Sequence, residues 1–190
     1  MALRTSGPAM RAGFLRSNLV SLALLPEREC AELARARDAI EAAVEGRAPT
    51  AWLPVELDVE LSRAVQDQYG PERTRQWVKD ALADSTSGPV LRPLFAALQA
   101  LGFTPVRALE RTPRIWSMIY RDCGTCEVTG ASEGQGECVI RDLPAMLQEH
   151  WYLSGVAGGL EGLLDLAGAD RALVSTRVEG NTAKLRARWG

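Results

Sequence analysis

Four side chains with metal-binding chemistry lie close together in the second half of this 190-residue chain. They are Cys123, Cys126, Cys138 and His150. Three thiolates and one imidazole form a soft ligand set that suits tetrahedral zinc. A single Cys-x2-Cys pair is weak evidence, because a zinc ribbon normally adds a second pair that is equally close. The alternatives are buried thiols, which are among the most buried side chains in proteins, and a redox-active pair.

The residues that could support catalysis form no recognisable motif. His150 is the only histidine, and histidine is the side chain that titrates near neutral pH without help. No nucleophile stands at a recognisable spacing from it, so we interpret it as a surface or boundary residue. The loop GASEGQG lacks the Lys-Ser/Thr of a phosphate-binding loop. Acidic pairs such as Glu56 and Asp58 are interpreted as solvated helix faces. We therefore predict that the chain is not an enzyme.

The cysteines fall within a predicted strand-strand-helix-strand-strand unit. Apolar residues alternate on both sides of a Gly- and Ser-rich loop, and a turn centred near Ser132 would put Cys126 opposite Cys138. A helix is predicted over 144–166, and alternation returns over 172–178 and 185–189 around a Gly180-Asn181 turn. We expect one helix to cover one face of a four-stranded antiparallel sheet.

The first half of the chain reads as a helical layer. Apolar residues recur at helical spacing, with Gly and Pro between the segments, over 27–46, 52–69, 71–82, 89–102 and 112–124. Residues 1–12 show no periodicity and are predicted to be a flexible tail. The sequence thus predicts a single α/β (α+β) domain over 13–190, with helices first and the ββαββ unit second.

The helix over 144–166 contains four glycines, at positions 155, 158, 159 and 162. Each costs up to about 1 kcal/mol relative to alanine in a helix interior, so a compensating contact is expected. We predict close approach of the helix backbone to the sheet beneath it. A bound apolar ligand or a partner helix are the alternatives.

Composition limits the classes of partner. Hydrophobic residues make up 46% of the chain and charged residues 24%, which is typical of a globular protein. With 22 basic and 24 acidic residues there is no general basic field, so nucleic-acid binding is not predicted. The longest apolar run near the start, 19–25, is too short to span a membrane. We expect a cytoplasmic protein with reduced cysteines.

Several landmarks carry a resemblance to known proteins. They are the segment GFTPVRALERTPRIWSMIYRDCG, the following hairpin, the Gly-rich helix ending in LEGLLDLAGAD, and a last strand ending in Trp189. Together they resemble a family of uncharacterised myxobacterial proteins of about this length. That family is distantly similar to the superfamily of haem-nitric-oxide sensor domains, 4-vinyl-reductase-type domains and TRAPP vesicle-tethering subunits. The resemblance implies the same fold, and sensing, small-ligand binding or protein assembly as the function.

The haem-sensor branch makes demands that this sequence does not meet. Those sensors carry a proximal histidine on the helix before the first hairpin, and a Tyr-x-Ser-x-Arg motif leading into the helix between the hairpins. Neither is present, and the second segment reads Glu-Cys-Val-Ile-Arg over 137–141. We therefore expect no haem and no other cofactor, with zinc at the cysteine set as the exception.

The sequence leads to two functional hypotheses. The first is a regulatory or protein-interaction module of bacterial signalling that binds itself, as a homodimer, or a partner protein. The alternative is a sensor that encloses a small apolar ligand between helices and sheet. Its predicted pocket residues are Trp116, Tyr120, Trp151, Tyr152, Gly155, Gly158 and Gly159.

Overall fold

A computed structural model describes residues 7–26, 30–100 and 102–190. Within them the helices are α1 (Ala12–Leu22), α2 (Ala31–Val44), α3 (Glu56–Ser85), α4 (Arg92–Ala100), α5 (Pro105–Ile119) and α6 (His150–Leu166). The strands are β1 (Ala9–Arg11), β2 (Trp52–Pro54), β3 (Tyr120–Arg121), β4 (Thr125–Ser132), β5 (Gln135–Arg141), β6 (Leu173–Glu179) and β7 (Thr182–Arg188). No helix of the described part is long and apolar enough to cross a membrane.

The predicted fold class is confirmed, because a helical layer is followed by a four-stranded antiparallel sheet in the order β4-β5-β7-β6. Residues of one sheet face, such as Ile140, Val174 and Leu185, are buried, whereas the other face carries charged pairs such as Arg186 with Glu137. Two helices share the buried face: α5 lies over β4 and α6 over β6. The prediction of a single covering helix is corrected accordingly.

The two hairpins differ in how well their registers could be predicted. The second has the predicted two-residue turn, since Glu179 pairs with Thr182 across Gly180-Asn181. In the first, the turn lies at Glu133-Gly134, and the strand register shifts earlier on β4, between Val128 and Gly130. Cys126 therefore pairs with Ile140, and Cys138 with Val128. The predicted Cys126–Cys138 pairing was wrong because Gly134, with φ of +77°, moves the turn away from Ser132.

The prediction of a flexible tail over residues 1–12 is corrected by a second, three-stranded sheet, to which residues 9–11 belong. Its order is β2-β1-β3, so β1 is the central strand. Ala9 and Met10 are fully buried, and Ala9 pairs with both Pro54 and Arg121. Residues 1–6 of the predicted tail lie outside the described residues. Residues 9–12 are ordered, and a strand of three residues is too short to show the alternation that identifies strands.

The helical layer shifts several predicted boundaries. The helix expected from Trp52 begins at Glu56, because residues 52–54 form β2. It continues across Gly70, where φ of +80° kinks the chain, and the segments 52–69 and 71–82 thereby join in α3. The segment 27–46 corresponds to α2, although residues 27–29 lie outside the described residues. The segment 89–102 corresponds to α4, and Leu101 is likewise not described.

Two further boundaries affect the region of the sheet. The helix α5 begins at Pro105, where the Thr104 hydroxyl accepts a hydrogen bond from the backbone N–H of Arg107 at 3.4 Å. It ends at Ile119 instead of position 124, because Tyr120 and Arg121 pair with β1. The helix predicted from position 144 begins at His150, after a 3-10 turn over Ala145–Leu147.

The glycines of α6 face another helix. A Cβ built on Gly158 would lie 2.3 Å from the carbonyl oxygen of Arg75, and one on Gly162 would lie 3.3 Å from that of Lys79. Both carbonyls belong to α3, with which α6 makes its most extensive contact. The prediction that the glycines approach the sheet was wrong: they let the two helix backbones approach each other.

An ion pair fixes the same contact. Arg75 on α3 donates two hydrogen bonds to the carboxylate of Glu161 on α6, at 2.6 and 2.8 Å. Arg75 also donates to the backbone carbonyl of Val174 on β6. The backbone N–H of Val174 in turn donates to the Glu161 carboxylate at 2.8 Å. Glu161 is only 7% exposed, so this paired charge ties α3, α6 and the sheet together.

Substituting Gly158 by alanine tests the helix contact. The added methyl overlaps the Arg75 carbonyl, which is backbone and cannot move aside, so we expect a loss of about 1–3 kcal/mol in the free energy of unfolding. The measurement is urea denaturation followed by circular dichroism.

Gly159→Ala is the matched control. Its Cβ would meet Val78 Cγ1 at 3.5 Å, an ordinary contact, so alanine's helix propensity should leave stability unchanged or raise it by up to about 1 kcal/mol. Equal losses in both variants would contradict the close packing at Gly158.

Candidate ligand-binding site

A cavity of about 90 Å³ lies between the helical layer and the four-stranded sheet. The helices α1 and α3 close it on one side, α5 and α6 flank it, and β4, β5 and β7 close it on the other side. Most of its lining is apolar, with Phe14, Val78, Ile115, Leu163 and Leu185 among the contributors. A partly enclosed, mostly apolar space of this kind is where folded proteins hold small molecules.

Five of the seven predicted pocket residues line this cavity, namely Trp116, Tyr120, Tyr152, Gly155 and Gly159. Trp116 and Tyr120 stack with ring centroids 4.1 Å apart, and the Trp116 indole donates to the carbonyl of Gly124. Two predicted residues lie elsewhere. Trp151 is partly exposed with the Arg63 guanidinium 5.4 Å from its ring, and Gly158 contacts α3.

A buried polar cluster interrupts the apolar wall; we call it the Asp58 cluster, and it consists of Asn18, Asp58, Tyr120 and Tyr152. The Asn18 amide nitrogen donates to one carboxylate oxygen of Asp58 at 2.6 Å. The Tyr152 hydroxyl donates to the other, also at 2.6 Å, and lies 3.2 Å from the Tyr120 hydroxyl. Because Tyr152 has one proton and gives it to Asp58, Tyr120 must donate to Tyr152.

The environment of Asp58 changes its acidity. Burial raises the pKa of this carboxyl from 3.8 to about 6, against the opposing effect of the Tyr152 and Asn18 hydrogen bonds. Within the described residues no lysine or arginine forms an ion pair with it. A carboxyl group thus stands at an apolar cavity, stabilised by two neutral donors alone.

Sequence reasoning named Tyr120 and Tyr152 as pocket residues but missed Asn18 and Asp58. Asp58 was interpreted as part of a solvated helix face, but it is 4% exposed, and Asn18 is 2% exposed. A usable signal was present in α1, where Phe14, Asn18 and Ser21 share one helical stripe and all three are buried. A polar residue on the apolar stripe of a helix therefore indicated a buried polar contact.

The four predicted zinc ligands are not brought together as one set. Among the described residues no group of three or more His, Cys, Asp or Glu side chains is placed to hold a metal ion. The Cys123 thiol donates to the carbonyls of Arg121 and Ala9, and burial raises its pKa to about 11. Cys126 and Cys138 line the cavity, whereas His150 is exposed at the start of α6.

Cys126 and Cys138 contact each other, although their backbones are offset by the hairpin register. A hydrogen bond between the two thiols, followed by burial, raises the pKa of Cys126 above its ordinary value. The same hydrogen bond lowers the pKa of Cys138, which the Thr112 hydroxyl also contacts. Both are free thiols in the cavity wall.

Comparison with known proteins shows similarity at the level of structure. No protein-family model matches the chain, and no curated protein matches it. A Fe(II) unliganded H-NOX protein from K. algicida superposes with a TM-score of 0.63 at 9% identity, covering 95% of this chain and 97% of that one. The chain has an H-NOX-like fold.

Two other H-NOX structures agree. One, from work on haem distortion in the H-NOX family, gives a TM-score of 0.62 at 12% identity over 95% of this chain and 94% of that one. An oxygen-binding H-NOX domain related to soluble guanylate cyclases gives 0.58 at 10% identity over 95% of both. At these identities the similarity shows the fold alone. It agrees with the fold that the haem-sensor branch of the resemblance implied, and it does not show the myxobacterial or TRAPP-like parts.

The expectation about cofactors needs correction. We expected no cofactor and no haem, but H-NOX structures superposing on this chain concern haem distortion and haem redox potential. Haem is therefore a candidate cofactor for the fold. The cavity as arranged does not fit one: His150 lies outside it, and about 90 Å³ is far below the roughly 300 Å³ of a pocket for a drug-sized ligand. Only thiols and phenols in its wall belong to the types that ligate haem iron.

The raised pKa of Asp58 predicts how stability changes with pH. Asp58 favours folding most below its ordinary pKa of 3.8, and this contribution is lost as the pH rises through about 6. The difference corresponds to about 3 kcal/mol. The titratable neighbours Tyr120, Tyr152 and Cys123 have raised pKa values and do not titrate in this range.

Asp58→Asn is the control that isolates this effect, because asparagine does not titrate. We expect the free energy of unfolding of the wild type, relative to Asp58→Asn, to fall by about 2.4 kcal/mol between pH 4 and pH 7, which is most of the full difference. Urea denaturation at a series of pH values measures it. A constant difference between the two proteins would show that Asp58 titrates as an exposed carboxyl does.

Proposed function

We propose that this chain is a sensor domain that encloses a small, mostly apolar molecule in the cavity between helices and sheet. The observation that carries the proposal is the cavity itself, which lies between the helical layer and the sheet of a fold shared with H-NOX proteins. H-NOX structures that superpose on the chain include an oxygen-binding domain, which is a protein that holds a small ligand.

The size of the cavity limits the ligand. A cavity of about 150 Å³ accommodates benzene and xenon, so a space of about 90 Å³ suits a molecule smaller than benzene. The α3–α6 contact supports this role, because Gly155 and Gly159 contribute backbone and no side chain to the wall. Larger residues there would occupy the space.

The regulatory part of the proposal concerns how a ligand bound in the cavity would affect self-association or the binding of a partner protein. A self-associating or partner-binding module needs an exposed apolar patch. Within the described residues the large exposed hydrophobic side chains are Val20, Leu24, Leu166 and Leu173. Homodimerisation, a protein partner, a signalling role without catalysis and a cytoplasmic location stay predictions.

Xenon binding tests the cavity directly. We expect xenon to bind the wild type, as a concentration-dependent shift in the ¹²⁹Xe NMR signal, because the space is mostly apolar and partly enclosed by the protein. Gly159→Leu places a side chain in the cavity and should weaken xenon binding at least about tenfold.

Ser154→Leu is the matched control for that experiment. It introduces the same side chain into the same helix at a position that does not line the cavity, so it should bind xenon as the wild type does. Absence of xenon binding in the wild type, or equal binding in wild type and folded Gly159→Leu, would contradict the proposed function.

Haem is the second candidate ligand, favoured by the fold comparison. It would have to open the cavity and take a thiolate or phenolate in place of histidine, since Cys126, Cys138, Tyr120 and Tyr152 are in the wall. Titration with hemin followed by gel filtration decides between the candidates. A stoichiometric Soret band that is retained, and altered by Cys138→Ala, would assign haem to this site. Hemin that separates from the protein would leave the small-ligand proposal.

A further inference from the structure

We propose that the cavity selects small molecules that carry a hydrogen-bond donor, which the side-chain oxygen of Asn18 accepts beside the carboxylate of Asp58. This inference rests on the proposed function and names the class of ligand. It assigns a recognition role to the Asp58 cluster, which has no role in holding an apolar molecule as such.

The orientation of the Asn18 amide follows from the chemistry of Asp58. An ionised carboxylate only accepts hydrogen bonds, so the amide nitrogen of Asn18 must be the atom 2.6 Å from it. The amide oxygen is thereby turned away from Asp58. It is buried, and it has no hydrogen-bond partner within the described part of the chain.

An unpaired buried acceptor is unfavourable, because the oxygen has lost its hydrogen bonds to water without gaining others. The backbone carbonyl of Asn18 accepts a hydrogen bond from the Trp77 indole at 3.0 Å. Any residue at position 18 would supply that carbonyl, so this contact does not explain why the side chain is an asparagine. Asn18 lines the cavity, so a molecule bound there with an N–H or O–H group could satisfy the free oxygen.

The remaining members of the cluster reinforce this selection. The direction of the hydrogen bonds runs from Tyr120 to Tyr152 to Asp58, which uses the protons of both phenols. With Asp58 ionised, the cluster offers further acceptor lone pairs, and the Asn18 amide nitrogen keeps a second N–H beyond the one that it gives to Asp58. A ligand that only accepts hydrogen bonds would leave the Asn18 oxygen unpaired, whereas a ligand with a donor would satisfy it.

The proposed class contains two kinds of ligand, which differ in the charge of the group that donates the hydrogen bond. A neutral donor, such as a pyrrole-type N–H or an alcohol, needs only the Asn18 oxygen. A protonated amine would in addition neutralise Asp58, which forms no ion pair with a lysine or arginine of the described residues. Both are donors, so both belong to the proposed class, and the probes below distinguish them.

The experiment compares three five-membered rings in the wild-type protein: pyrrole and furan, which are planar and of nearly the same size, and pyrrolidine, which is saturated and bulkier. Pyrrole has a donor N–H, furan has an acceptor oxygen only, and pyrrolidine is a protonated amine at neutral pH. We expect pyrrole to bind about tenfold more tightly than furan in NMR titrations at pH 7.5, because one hydrogen bond to a buried acceptor is gained. Pyrrolidine binding above that of pyrrole assigns a cationic head group, and weaker binding assigns a neutral one.

Asn18→Leu tests whether the side-chain oxygen of Asn18 causes the preference for a donor. Leucine has a similar shape and no acceptor, so the preference for pyrrole over furan should fall to about one. Thr112→Val is the matched control: it removes a hydroxyl from the same cavity wall, outside the Asp58 cluster, and should keep the tenfold preference. The wild-type comparison is decisive even if Asn18→Leu fails to fold.

The outcomes separate this inference from the proposed function. Furan binding as tightly as pyrrole in the wild type would overturn the inference, while xenon binding would still support the cavity as a ligand site. A pyrrole preference retained in folded Asn18→Leu would overturn the assignment to Asn18. Absence of binding by xenon and by every ring would overturn the proposed function itself.

Discussion

The close contact of α3 with α6 is the constraint on which the rest of this structure depends. Gly158 allows the backbone of α6 to meet the carbonyl of Arg75, and Arg75 in turn pairs with Glu161 and with the β6 backbone. A helix with a side chain at position 158 would have to move outward, and α6 would then no longer lie between α3 and the sheet. The position of α6 therefore follows from one absent side chain and one ion pair.

This packing also explains why a cavity persists. The α3–α6 contact is fixed by backbone and by a paired charge, so these two helices cannot slide together to fill space elsewhere. The helix α5 covers the other end of the same sheet face, over β4, and the cavity lies between α5 and α6 with α1 contributing to its wall. Apolar side chains from four helices, α1, α3, α5 and α6, and from strands of the sheet meet there, yet they leave space between them. Packing defects of this size are costly, and their presence is typical of a site that holds something.

The fold could be predicted from sequence where the pattern is local. Alternation over β6 and β7 with a two-residue turn fixes the second hairpin, and helical spacing identifies the helical layer. The first hairpin was misread because its turn lies at Glu133-Gly134 and not near Ser132, and the irregularity near Thr129 offsets that shift by only one position. The strand β1 and the partner of the glycine stripe depend on residues far apart in the chain, which periodicity does not reveal. Five pocket residues could be named because a pocket was expected between the helical layer and the sheet, although the glycines among them approach α3 and not the sheet.

Asn18 and Asp58 of the Asp58 cluster were missed for a different physical reason. Residue types predict burial from average solvation, and an aspartate is on average exposed, so a buried one is identified only from its donors. The donors to Asp58 come from α1 and α6, which are far apart in the sequence. Folding alone does not require the arrangement, since burial without a cation opposes ionisation, and an apolar residue of similar volume would avoid that cost. One amide oxygen is also left unpaired. A feature that costs stability at a cavity, with unused acceptor capacity, is more readily explained by recognition of a ligand than by support of the core.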